Sequence, residues 1–461
     1  MLSLAVLGLL TGPAVVAADE LMDITHAAGY TEAQEINRPK SSIIIDAHTG
    51  DVVWADNVDE PRDPASMSKL MTLYLVFDAI KEGKLSESTV IRATETDEAI
   101  TKIHAISNNK IVSGVDYTVS ELITMTAVPS SNATTVMLAN YLSDNDPDKF
   151  LDMMNAKAKE LGMTNTQWNN ASGAAAVAFQ GLYTPQRYDI QSSNKTTARD
   201  LAILGYHFVN NHPEILNYTK DAVVTVKAGT PYQETFETYN YSLPGARYAL
   251  AGVDGLKTGS SPEGAFNYIA TINRDGQRFV EVIMGVGDWS DQNGEYYRHP
   301  FGNALAEKAY EDFEYKEILG KGQHEIDGQT VTLETPLYAT VKRDTNPKVV
   351  IKDGQLVVEN GLDKVSPKIS STVEASIGTD KAPSREGKAG QASERGDWLA
   401  TVKSQVTYWQ EELGWAKILL IAVFAFLFML ILMLLVLRSG KKKKARRQDN
   451  KAGASLSRRN R

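Results

Sequence analysis

Residues 64–72 read Pro64-Ala65-Ser66-Met67-Ser68-Lys69-Leu70-Met71-Thr72 and open a strongly apolar helical pattern. Met67, Leu70, Met71, Leu73, Tyr74, Val76, Phe77 and Ile80 recur at helical spacing until Gly83 stops the run. The spacing predicts a helix over 66–83 with Ser66 at its N-terminus. Ser66 and Lys69, at i and i+3, share one helix face. Free amides and the helix dipole at that end favour negative charge. Burial drives a lysine toward its neutral, basic form. The pair matters because the chain has no cysteine, which leaves Ser, Thr, Lys and carboxylates as candidate nucleophiles. A Ser-His-Asp triad is unsupported. No G-x-S-x-G elbow is present, and His48, His212 and His299 stand in polar or turn-like settings that read as surface or hydrogen-bonding positions. No H-E-x-x-H or paired-His pattern suggests a metal, so neither metal nor cofactor is expected.

S-x-x-K also begins at Ser107, Ser192 and Ser439, but only Ser66 opens an apolar helix. Upstream, SIIIDAHTGDVVW over residues 42–54 alternates around Gly50 as a hairpin. Downstream, helical segments are expected at 118–128, 132–142, 147–162 and 302–317, and a hairpin over 266–287 around Arg274-Asp275-Gly276-Gln277. Lys257-Thr258-Gly259 is the one K-T-G and precedes that hairpin. S-x-N begins at Ser107, Ser130, Ser143 and Ser192. Ser143-Asp144-Asn145 ends a helix in an acidic loop and is set aside. Ser130-Ser131-Asn132 follows Ser66 by 64 residues and lies between two helical segments.

S-x-x-K, S-x-N and K-T-G in this order resemble the three motifs of the serine penicillin-binding proteins and β-lactamases. The stretches SIIIDAHTGDVVW, MNAKAKELGM and TTARDLA are similar to the low-molecular-mass D-alanyl-D-alanine carboxypeptidases. The resemblance covers about residues 40–316. It implies an α+β fold, an α/β/α sandwich with an antiparallel sheet and a helical subdomain, followed by a small all-β domain and a C-terminal transmembrane helix. It also implies an activity: removal of the terminal D-alanine from peptidoglycan stem pentapeptides ending in D-Ala-D-Ala, with β-lactam antibiotics as covalent inhibitors. The roles it implies are Ser66 as nucleophile, Lys69 as base, Ser130 as proton relay, and Asn132 as hydrogen-bond partner of substrate or Lys69. Lys257 would hold Lys69 neutral and attract the substrate carboxylate, and Thr258 would hydrogen-bond that carboxylate. Gly259 would let the strand approach the substrate, and the amides of Ser66 and Ser260 would form the oxyanion hole. Many relatives carry an Arg after an Asn upstream of K-T-G. Here Tyr241 takes that place, and the nearest arginine, Arg247, is left out of the expected site.

The two ends carry a separate message. Residues 2–18 are uncharged and apolar or small, and Val16-Ala17-Ala18 suits a cleavage site, so residues 1–18 read as a signal peptide. Residues 418–437 are apolar without a break and read as a transmembrane helix. Residues 397–416, with Trp398, Val402, Val406 and Trp409 at helical spacing, read as an amphipathic interfacial helix. The net charge is -9, yet Arg438–Arg461 holds 11 Lys/Arg against Asp449, a net of +10, leaving -19 elsewhere. The basic tail, 438–461, is therefore placed in the cytoplasm and residues 19–416 outside the membrane. An acidic body argues against nucleic acid as a partner. Between these ends, 19–316 is expected to be the catalytic domain, 317–377 the small β domain and 378–396 a polar linker.

Two rival readings share the same motifs. A class A β-lactamase would carry Glu-x-x-x-Asn, but Glu160 has Thr164 four residues on. A catalytically silent wall-binding or β-lactam-sensing protein would not need three intact motifs.

Overall fold

In the computed structural model the described residues are 19–370, with the backbone of the short strands Val373–Glu374 and Ser376–Ile377. The signal peptide, linker, interfacial helix, membrane span and basic tail expected from the sequence lie outside them. No helix among the described residues is long and apolar enough to cross a membrane.

Strand Ser41–Asp46 is buried at every position, because both faces of its sheet are covered. It lies second in a five-stranded antiparallel sheet, in the order Val52–Asp56, Ser41–Asp46, Gln277–Val286, Ala265–Arg274, Val253–Ser261. Side chains alternate between the faces. Ile43 and Ile45 enter the core of the helical side with Leu70, Met71, Phe77 and Leu201. Ile44 enters a second core with Phe266, Phe279, Phe301 and Leu305. Helices Glu20–Ala27 and Gly294–Asp312 supply that second layer. The α+β expectation, with antiparallel sheet, helical side and following all-β region, describes this architecture.

Local chemistry sets the helix ends. Thr118 and Glu121 form a capping box for Val119–Ala127, Ser131 caps Asn132–Ser143, and Asp146 with Pro147 starts Pro147–Leu161. Two expected boundaries move. The segment 66–83 divides into a 3-10 turn, Ala65–Ser68, and an α-helix, Lys69–Lys81. The helix expected at 302–317 runs Gly294–Asp312 instead, with Pro300 inside it. Packing against the central sheet outweighs the proline, and the chain enters a strand at Phe313.

The all-β region packs a small core of Ile326, Val331, Leu333, Leu337 and Leu356. Its hairpin Lys348–Lys352/Gln355–Glu359 turns at Asp353-Gly354, both with positive φ, as a tight two-residue turn requires.

Candidate active site

The 3-10 turn Ala65–Ser68 sits between the last sheet strand, Val253–Ser261, and the helical side. Ala65 has φ +48°, a conformation costly for a residue with a Cβ. Neighbours hold it there. Asp63 Oδ1 accepts the Ala65 N–H at 2.8 Å, and Asp63 Oδ2 accepts the Ser261 hydroxyl at 2.6 Å. Gly259 is needed at this junction. A Cβ there would stand 2.5 Å from Pro64 O, 2.9 Å from Met67 N and 3.0 Å from Ser66 N. The glycine thus lets the strand reach the nucleophile turn itself, a closer constraint than the substrate contact expected from the motif.

Lys69 is fully buried at the start of its helix. Its Nζ lies 2.8 Å from Ser172 O, 3.0 Å from Asn132 Oδ1 and 3.0 Å from Ser66 Oγ. Burial first, and the charge of Lys257 second, hold the Lys69 amine well below its ordinary range. A neutral amine has two N–H groups and one lone pair. Ser172 O and Asn132 Oδ1 can only accept, so they take the two protons and the lone pair faces Ser66 Oγ. That is the geometry of a base poised to receive the Ser66 proton. Asn132 is fixed in turn: its Nδ2 donates to Ser107 O at 2.8 Å.

Ser130 has φ +62° and is buried, and its Oγ has no hydrogen-bond partner among the described residues. Ser66, Ser130, Asn132, Thr258, Gly259 and Ser260 all line one cavity of about 580 Å³. Lys257, beside it in sequence, is buried, and its Nζ bonds Thr258 O at 3.1 Å. Burial, then the charge of Arg298, lowers Lys257 to about 7. Six of the eight residues singled out in the sequence therefore line one cleft; Lys69 reaches it through Ser66 Oγ, and Lys257 stands behind Thr258. The rejected Ser143-Asp144-Asn145 does not line it; Asp144 and Asn145 form a left-handed helix end.

The cleft is also lined by a cation that the motifs did not announce. Arg298 is buried on helix Gly294–Asp312 and donates from Nη1 to Ser260 Oγ at 3.0 Å. Glu295 stands 3.8 Å from its Nη2, and burial lowers the guanidinium to about 10. Tyr241, where the motif leads one to expect an arginine, stacks on Tyr296. Arg247 lies over the rings of Tyr248 and Tyr296 and does not line the cleft. The signal for Arg298 was the departure itself: where Tyr241 replaces the motif's arginine, a cation from another element can take its place.

A family profile described as D-alanyl-D-alanine carboxypeptidase matches residues 28–288, more than half of the chain. The chain belongs to the D-alanyl-D-alanine carboxypeptidase family. Residues 315–376 match a second profile, described only as a domain of unknown function. Among the family's curated proteins, the D-alanyl-D-alanine carboxypeptidase DacF of Bacillus subtilis is 27% identical over 281 residues, 58% of this chain and 62% of that protein. The chain thus spans less than two thirds of that relative's length. Two solved structures share the fold. A peptidoglycan synthesis regulatory factor, PBP3, from Streptococcus pneumoniae superposes with a TM-score of 0.63 at 22% identity, over 74% of this chain and 98% of that one. Penicillin binding protein 5 from Haemophilus influenzae does so with 0.57 at 21%, over 75% and 96%.

Proposed function

We propose that this family member is a serine D-Ala-D-Ala carboxypeptidase that works through an acyl-enzyme on Ser66. The observation that carries the reading is the Lys69 amine, with both N–H groups accepted elsewhere and its lone pair facing Ser66 Oγ at 3.0 Å. Ser66 Oγ attacks the carbonyl carbon of the penultimate D-alanine while Lys69 takes its proton. The carbonyl oxygen becomes an oxyanion beside the amides of Ser66 and Ser260, a kind of contact worth about 3–4 kcal/mol per donor. Ser130 passes its hydroxyl proton to the amide nitrogen and takes up the proton held on Lys69, the C–N bond breaks, and D-alanine leaves as a free amine. Water then hydrolyses the ester and regenerates Ser66. A β-lactam ring would open by the same attack. The substrate carboxylate is assigned to Thr258, Ser260, Lys257 and Arg298. A cationic wall at this end suits a free C-terminus and not a continuing chain, so the reading favours carboxypeptidase over endopeptidase. The apolar span at 418–437 would hold the enzyme in the cell membrane, with the catalytic domain outside.

The test offers the full chain a stem pentapeptide and a cross-linked dimer. Free D-alanine from the pentapeptide alone is expected. Cleavage of the dimer at a similar rate contradicts the assignment of the cleft end. Arg298→Gln should raise KM at least about tenfold, the effect of losing one charge-assisted bond worth about 1.5–3 kcal/mol, with kcat less affected.

The activity should also depend on pH through Lys257. Its ammonium, lowered to about 7, is the form that attracts the carboxylate. As pH rises through that value the free enzyme loses the cation, so kcat/KM should fall on the alkaline side of about 7. A bound carboxylate stabilises the ammonium, so the limb in kcat should lie higher. Lys257→Arg keeps the charge and should move the kcat/KM limb upward; an unmoved limb would remove Lys257 from this role.

A further inference from the structure

Two S-x-N stretches that the proposed reaction leaves unused, at Ser107 and at Ser192, both buttress the cleft. The first supplies Ser107 O, which accepts from the Asn132 side chain at 2.8 Å and from its backbone N–H at 2.9 Å. The second ends in Asn194, which is fully buried on the helical side. We infer that Asn194 is a positioning residue for the Ser66–Lys69 pair, tying the turn that carries the nucleophile to the loop whose carbonyl orients the base.

The hydrogen bonds form a closed circuit. Asn194 Nδ2 donates to Ser68 Oγ at 2.8 Å, with Asn170 O at 3.0 Å and Asn170 Oδ1 at 3.1 Å also in reach. Asn194 Oδ1 accepts the backbone N–H groups of Asn169 at 2.7 Å and Asn170 at 3.0 Å. Those two N–H donors fix which way the amide faces. Ser68 passes the contact on, donating to Ala65 O at 2.7 Å. Ala65 is the left-handed residue directly before Ser66. On the other side, Asn170 Oδ1 accepts Gly173 N–H at 2.6 Å and Ser172 N–H at 3.3 Å. This sets the peptide whose carbonyl, Ser172 O, takes a proton of Lys69 at 2.8 Å. One buried amide therefore holds the approach to Ser66 and an acceptor that aims the Lys69 lone pair. Asn194 does not line the cavity, and Thr258 and Arg298, assigned to the substrate carboxylate, lie outside the circuit. Its contribution should fall on the chemical step and spare binding.

Two variants test this in the full chain. Ser68→Ala removes only the hydroxyl that receives the Asn194 amide. Asn194→Asp retains the acceptor oxygen facing Asn169 and Asn170 and loses the donors. Each is compared with wild type for the acylation rate constant with penicillin, the dissociation constant of the preceding non-covalent complex, and melting temperature. Each variant should acylate at least about tenfold more slowly with binding unchanged, an effect expected when reacting atoms are misplaced by a fraction of an ångström. The double variant should lose little more than either single one, because both break the same circuit. Unchanged acylation, rate and binding weakened in parallel, or fully additive losses would each overturn the assignment. The inference rests on acylation of Ser66. Wild type that takes up no penicillin would fail that reading, whereas labelled wild type with unaffected variants would fail only the role of Asn194.

Discussion

Lys69→Met should leave a folded protein that acylates at least about 10²–10⁴ times more slowly, the usual contribution of a positioned general base. Methionine has nearly the length of lysine and suits a site that is fully buried. Its folding cost comes from Asn132 Oδ1 and Ser172 O, each of which loses a donor, about 1–3 kcal/mol per unsatisfied group. The more telling comparison is Lys69→Arg. A guanidinium supplies a cation and can donate, but it does not lose its proton in this pH range. If Lys69 served only as a counter-charge, arginine would restore much of the rate. If it is the base, arginine acylates no faster than methionine. Stopped-flow reaction with a chromogenic β-lactam separates these outcomes.

Gly173→Ala should be comparably damaging through geometry alone. Gly173 has φ +94°, and a Cβ built there would stand 1.9 Å from Ala65 O, 2.2 Å from Ala65 C and 2.8 Å from Ser66 N. These are backbone atoms and cannot rotate aside. Either the loop carrying Ser172 O or the turn carrying Ser66 must shift, and a displacement of about 1 Å can reduce a rate about 10²-fold. Gly181→Ala is the control. It shares a positive φ of +87°, but nothing lies within 4 Å of its added Cβ. That variant should lose only about 1–2 kcal/mol to backbone strain and keep its rate of penicillin acylation. Equal rates in the two variants would show that the packing of Gly173 on Ala65 is unimportant to the reaction.

What the sequence revealed follows the range of the interactions. Ser66 and Lys69 were legible because i, i+3 spacing on an apolar helix is local chemistry. Ser130-Ser131-Asn132 was legible once helices were expected on both sides. The hairpins at Gly50 and Asp275-Gly276 announced themselves through turn residues and period-2 alternation. Arg298 was hidden because no local pattern links it to Lys257, 41 residues earlier. Its helix was read as starting after Pro300, where a proline ordinarily forbids helix interior. Burial of Phe301, Leu305 and Ala306 against the sheet outweighs that local preference. Asn194 was invisible for the same reason, since its partners Ser68 and Asn170 reach it only through the folded chain.

The central claim is that Ser66 is the acylated atom's residue, and peptide mass mapping after reaction of the full chain with penicillin tests it most directly. The account predicts one adduct, on the peptide containing Ser66, formed by wild type and nearly absent from Lys69→Met over the same time. An adduct on any other residue, or undiminished labelling of Lys69→Met, would contradict it.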